Sequence, residues 1–167
     1  MDQDTGLGRR EQAECSTADV GVEVLIIDVL RHQPVDERVG TRSRESEKER
    51  ESKDTFSVLD KQVKKGLEGF PSEDLERLVI AYEPVWAIGT GKTATSDQAQ
   101  EAHQFLRSVI EKKFGNMLAK SIRILYGGSV KPNNIAELMT MPDVDGALVG
   151  GASLDPETFS KIVQFKI

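Results

Sequence analysis

The chain has 167 residues, with 38% hydrophobic and 30% charged side chains, enough for one domain with a real core and globular but polar on average. Its net charge of -6 argues against a nucleic-acid partner, because phosphate binding needs Lys and Arg in excess on one face. A single cysteine, Cys15, excludes an internal disulfide and argues against a thiolate metal cage, so no metal is expected. No apolar run approaches ~20 residues, so no membrane-spanning helix is expected. The opening MDQDTGLGRREQAEC lacks an apolar core and does not read as a secretory signal. A cytoplasmic protein is the expectation.

Residues 1–46 are mostly polar and stay unassigned, either disordered or holding one strand. The one apolar run there, Val22 to Leu30, suits a buried strand but is too short to found a domain. Arg42 to Asp54 (RSRESEKERESKD) is charged or Ser throughout, which reads as solvated helix or disorder. From Thr55 the pattern sharpens. Phe56, Leu59, Val63 and Leu67 fall at helical spacing, and Gly69 and Pro71 end that helix. Leu78–Glu83 reads as a strand. Thr95 and Gln98 form a T-x-x-Q capping box for a helix whose apolar stripe is Ala99, Ala102, Leu106, Val109 and Ile110. Lys112 and Lys113 suit its C-terminal dipole end, and Gly115 stops it. Ser121–Tyr126 is the next predicted strand, Asn134–Met139 a short helix, and Asp145–Val149 the last strand. Asp155-Pro156 opens a final helix with Phe159, Ile162 and Val163 as its buried face.

This order is a helix followed by three strand–helix units. It predicts an α/β fold of parallel strands with right-handed crossovers, whose carboxyl ends share one edge. Ligands bind at that edge in α/β proteins. Each predicted strand ends there in a distinctive loop. The first carries Glu83, a carboxylate leaving a buried strand and therefore partly desolvated and more basic. Pro84 stiffens the exit, and Val85-Trp86 and Thr90-Gly91-Lys92 read as hinges around an Ala87-Ile88-Gly89 tip. The alternative is a surface loop with a salt-bridged Glu. The second loop is Tyr126-Gly127-Gly128-Ser129 and the third contains Gly150-Gly151. Paired glycines let backbone amides approach an anion, which makes a phosphate cradle; the alternative is two tight turns. His103 lies beside the apolar stripe of its helix, facing solvent or packing on a neighbour, and His32 precedes Gln33-Pro34. Neither is placed near the loop edge. No Ser–His–Asp order and no metal-ligand cluster is evident.

Ala81–Lys92 (AYEPVWAIGTGK), Tyr126–Val130 (YGGSV) and Asp145–Leu154 (DGALVGGASL) resemble the sixth, seventh and eighth strand–loop units of triosephosphate isomerases, in order and at fitting separations. The resemblance covers residues 47–167 and implies the last three βα units of a TIM (β/α)8 barrel plus the helix before them, with an irregular N-terminal segment. It implies that Glu83 is the catalytic base and that Pro84, Val85, Trp86, Ala87, Ile88, Gly89, Thr90, Gly91 and Lys92 form the lid. It implies further that Gly89, Ser129, Gly150 and Gly151 hold the substrate phosphate, and that Tyr126 and Ser129 latch the closed lid. The substrate would be a small phosphorylated triose in glycolysis and gluconeogenesis, the reaction a proton transfer through an enediolate, and no cofactor would be needed.

The sequence also departs from the family. A complete barrel of this kind takes about 250 residues. The family's first five strands are not recognisable here, nor are its N-x-K motif and its electrophilic His in a G-H-S-E-R-like context. Members are homodimers, but their dimer loop is not found. A truncated chain, weak or inactive alone, is the expectation, with a non-catalytic phosphate-binding or interaction fragment as the alternative.

Overall fold

The computed structural model describes residues 55–70, 75, 78–84, 87 and 92–167, together with the backbone of two further strands, 22–28 and 33–34. The expected boundary near residue 46 and the charged run 42–54 lie outside these residues.

The elements are β1 (Val22–Asp28), β2 (Gln33–Pro34), α1 (Thr55–Gly66), β3 (Leu78–Pro84), α2 (Ser96–Phe114), α3 (Asn116–Ser121), β4 (Arg123–Tyr126), α4 (Ile135–Leu138), β5 (Gly146–Ala147), a 3-10 turn (Gly151–Leu154) and α5 (Pro156–Val163). They form one sheet in the order β2-β1-β3-β4-β5. β3, β4 and β5 run parallel, with Tyr82 beside Tyr126 and Tyr126 beside Ala147. The predicted α/β alternation therefore holds. β1 occupies the other edge of β3 and runs antiparallel to it, Val22 opposite Pro84 and Asp28 opposite Leu78. The sheet is thus mixed, and the strand expected over Val22–Leu30 spans Val22–Asp28.

α2 forms as its sequence dictates. The Gln98 amide donates to Thr95 Oγ1 (3.2 Å) and the Thr95 amide to Gln98 Oε1 (3.0 Å), so the capping box closes. Ala99, Ala102, Leu106, Val109 and Ile110 are all buried. They meet Leu59 and Val63 of α1 and Leu78, Ile80 and Ile124 of the strands in one continuous core. Each large aliphatic buried there contributes roughly 1.5–3 kcal/mol. Gly69, with φ of 81°, takes the left-handed turn that ends the first helical segment.

Three expectations need correction. Ser121 is not strand but the last residue of α3, which was not foreseen. Gly115, at φ of 92°, turns the chain so that a second short helix starts at once, and the Ile122 amide closes it on the Leu118 carbonyl (2.9 Å). The strand expected over Asp145–Val149 shrinks to Gly146–Ala147, bracketed by bonds from the Asp145 amide to the Ile124 carbonyl (3.0 Å) and from the Leu148 amide to the Tyr126 carbonyl (2.8 Å). On α5 only Ile162 is buried, whereas Phe159 is 39% and Val163 60% exposed. Asp155 does cap that helix, accepting from the Thr158 amide (2.9 Å). No described helix is long and apolar enough to cross a membrane.

Candidate functional site

Parallel pairing brings the ends of β3, β4 and β5 to one edge. Beyond the last paired residues the Gly127 amide donates to the Tyr82 carbonyl (2.8 Å), which sets Gly127 beside Glu83. The two touch. A Cβ built on Gly127 would fall 2.7 Å from Glu83 Cγ and 3.1 Å from its Oε1. The half-buried Glu83 side chain therefore lies directly on the Gly127 backbone, and only glycine leaves it that space. Gly128 is confined as well: a Cβ there would collide with the Tyr126 hydroxyl and sit 3.0 Å from Pro84 Cγ. The start of the expected lid, the Tyr126 phenol and the double-glycine turn thus meet at one point.

The loop after β4 is fixed by a residue that the sequence reading passed over. Asn134 Nδ2 donates to the Ser129 carbonyl (2.9 Å), and its Oδ1 accepts from the Lys131 amide (2.7 Å). An Asn just ahead of a short helix is a signal for such backbone bonding and was available in the sequence. Ser129 is half-buried within this turn. Gly150 and Gly151 are exposed, with φ of -83° at Gly150, and added Cβ atoms would meet nothing within 4 Å. Close packing accounts for Gly127-Gly128 but not for this second pair. No side chain caps the 3-10 turn that Gly150 precedes. Within the lid segment Pro84 and Ala87 are buried and Lys92 is exposed. Val85, Trp86, Ile88, Gly89, Thr90 and Gly91 lie outside the described residues, so Gly89 is not located relative to Glu83.

Behind the edge sits His103, which packs on neighbours rather than facing solvent. It is fully buried, edge-on to Tyr82 (ring centroids 5.7 Å apart) and tilted against Tyr126 (6.4 Å). Its Nδ1 lies 3.2 Å from the Asp143 carbonyl oxygen, an acceptor that a protonated Nδ1 serves. Nε2 is buried without a hydrogen-bond partner. Burial, more than any neighbouring charge, lowers its pKa from 6.5 to about 4, so the ring is neutral near pH 7.

Arg107 was not singled out by the sequence, where an Arg on a helix reads as solvated. Its guanidinium binds Asp143 (Nε to Oδ1, 2.8 Å), Asp145 (2.8 Å) and the Ala119 carbonyl (2.6 Å). Asp145 also accepts from the Ile124 amide (2.7 Å), and Gln100 holds both the side chain and the amide of Asp143. The segment leading into β5 is therefore clamped to α2, which holds the third loop in register with the first two. Among the described residues there is no group of three or more His, Cys, Asp or Glu able to hold a metal.

A parallel α/β chain with one acid and a double-glycine turn packed together at the carboxyl edge of its strands is the class of protein defined so far. A family model described as triosephosphate isomerase matches residues 43–166. Curated relatives agree. The chain is 58% identical over 122 residues to the triosephosphate isomerase of Syntrophotalea carbinolica, covering 73% of this chain and 48% of that one. It is 59% identical over 118 residues to that of Geobacter metallireducens, covering 71% and 47%. It is 58% identical over 123 residues to that of Carboxydothermus hydrogenoformans, covering 74% and 49%. The chain belongs to the triosephosphate isomerase family. It spans about half the length of the curated relatives it matches.

Proposed function

We propose that residues 47–167 form the last three βα units of an eightfold barrel, with the helix before them, and carry the proton-transfer half of a triosephosphate isomerase site. Glu83 is the base. Its carboxylate takes a proton from the carbon beside the carbonyl of dihydroxyacetone phosphate, and the bonding pair moves onto the carbonyl oxygen to give an enediolate. The resulting carboxylic acid returns the proton to the neighbouring carbon while the hydroxyl proton passes from the first carbon's oxygen to the second's, giving glyceraldehyde 3-phosphate. No electrons leave the substrate, so no cofactor is needed. Backbone groups of Gly89, Ser129, Gly150 and Gly151 hold the phosphate. Pro84 to Lys92 close over it as a lid latched at Tyr126 and Ser129, and the closed lid excludes water from the enediolate.

The observation that carries this reading is the Glu83 side chain resting on Gly127 where the ends of β3 and β4 adjoin. The acid rests against the Gly127 backbone, in reach of a ligand at the shared edge.

Turnover by these residues alone is proposed to be weak. Residues 1–50 contain neither the N-x-K nor the His pattern of the family. One missing donor to a developing oxyanion costs about 2.7–4 kcal/mol, a factor of 10²–10³ in rate. The test is an isomerase assay on the purified chain with Glu83→Gln beside it, combined with thermal melts in inorganic phosphate. Expected are slow turnover that Glu83→Gln abolishes and a phosphate-dependent rise in melting temperature that both proteins share. Turnover that survives Glu83→Gln would overturn the base assignment. Phosphate stabilisation with no turnover in either protein would instead favour a fragment that binds phosphate without chemistry.

A further inference from the structure

A second feature lies away from the carboxyl edge. α1 precedes β3 and α2 connects it to the parallel β4, so both helices end near the amino ends of the strands. Between them runs an open groove of about 970 Å³. One wall is α1, with Lys61, Lys64 and Lys65 exposed; the other is the last turn of α2, with Lys112 and Lys113 exposed. The floor is apolar. Val109 is buried and Phe105 half-buried, and the Phe105 ring leans on Phe56 with centroids 4.6 Å apart.

The lysines fall into two groups. Lys64 is tied to Asp60 (2.8 Å), and Lys113 donates to the Lys64 carbonyl (3.1 Å) while lying over the Phe114 ring (5.1 Å). Lys61, Lys65 and Lys112 have no hydrogen-bond or ion-pair partner among the described residues. Glu68 is the only other acid on the lining. Lysines in last helical turns do answer the helix dipole, but that role needs no apolar floor between them. In a chain of net charge -6, five ammonium groups around one hydrophobic cleft form a local field opposite to that of the whole. The lining offers no Arg fork for a bidentate phosphate grip, and its lysines lie along the rim rather than converging on one point.

We propose that this groove docks an acidic amphipathic peptide segment of a partner protein. Its apolar side chains would rest on Phe105 and Val109, and its carboxylates would meet Lys61, Lys65 and Lys112. This is the helix-groove mode of recognition with charge at the rim setting specificity.

The test uses the full chain and a short fluorescein-labelled peptide with Phe and Leu set among Glu and Asp, followed by fluorescence anisotropy. A control peptide replaces Phe and Leu by Ser at the same charge. The expected result is saturable binding that weakens at least about tenfold in Lys61→Glu/Lys65→Glu/Lys112→Glu, and by a similar factor for the control peptide. Circular dichroism of the triple variant should match the parent, since all three side chains are exposed. Should that variant misfold, binding by the parent that fades as salt rises tests the same rim charges without substitution. No saturable binding, or equal binding by the triple variant, overturns the proposal. Equal binding of the two peptides overturns it too, because the groove is then a plain anion surface. Self-association of the parent that the triple variant abolishes also overturns it, by making the occupant a second copy of this chain.

Discussion

At the scale of single residues, the site is built from close approaches. Gly127 is there because Glu83 occupies the space a Cβ needs, and Gly128 because the Tyr126 hydroxyl and Pro84 do. Gly127→Ala is therefore expected to push Glu83 off its seat and to destabilise the chain by about 1–3 kcal/mol, the usual cost of overpacking. Urea unfolding measures this, and Gly150→Ala, which meets open space, should lose clearly less. The sequence exposed the glycine pairs but not this difference, since two identical dipeptides carry no mark of what packs against them. His103 shows the same limit. Its place beside a helical stripe left burial open, and only the fold reveals Tyr82 and Tyr126 around it. Its folded pKa of about 4 lies below the unfolded 6.5, so the unfolded chain binds the extra proton. Stability is then full above pH 6.5 and is lost as pH falls toward 4. Asp143 and Asp145 oppose that shift and Arg107 reinforces it, all more weakly than burial. Between pH 7 and pH 5 the group should cost roughly 2 kcal/mol of unfolding free energy. His103→Gln should flatten that part of the profile, although it sacrifices stability at pH 7. A parent whose stability is level from pH 7 to 5 would contradict this assignment.

At the scale of elements, what could be read in advance was whatever local chemistry decides. The capping box of α2, its apolar stripe and the Asp155 cap of α5 all depend on residues within four positions of one another, and all form. α3 was missed because Gly115 reads as a stop. It is one, but its positive φ also launches the next helix. β5 was drawn too long because an apolar run does not announce where its partner strand ends, and β4 is only four residues. Arg107 could not be read at all, since its partners lie 12 to 38 positions away. Yet the clamp it makes holds α2, β4 and the approach to β5 together. Arg107→Met would remove the guanidinium from Asp143 and Asp145 and leave the Ala119 and Ile122 carbonyls without it, although Gln100 still donates to Asp143. The expected loss is about 2–3 kcal/mol, less than for a wholly buried pair because the ions keep some water. Thr95→Ala should cost only about 1 kcal/mol, the usual value of a helix cap. Guanidinium unfolding of the two variants side by side tests the ordering. Equal losses would mean that the clamp is no more than a surface ion pair.

At the scale of the whole molecule, the parallel order of β3, β4 and β5 followed from the alternation of strand and helix signals, whereas the antiparallel β1 beside β3 did not. Strand–helix alternation was legible only from Thr55 onward, and β1 lies before that run, so its direction beside β3 was not written there. The final helix carries the clearest consequence of the architecture. Its sequence has an apolar face of Phe159, Ile162 and Val163, and a face like that is written to be covered. Here Ile162 alone is covered. Phe159 and Val163 remain exposed, and Leu154 and Ile167, at 86% and 84%, add to the apolar surface at this end of the chain. Apolar surface that persists on a folded chain binds hydrophobic dyes and lowers solubility. The purified chain is therefore expected to raise the fluorescence of anilinonaphthalene sulfonate at neutral pH while fully folded. Phe159→Ser/Val163→Ser should remove most of that signal and leave the circular dichroism nearly unchanged, with only a modest fall in the urea midpoint, since Val163 is 60% and Phe159 39% exposed. Retention of the dye signal in the double variant would place the apolar surface elsewhere. A collapse of the urea midpoint would mean instead that this face is packed in solution.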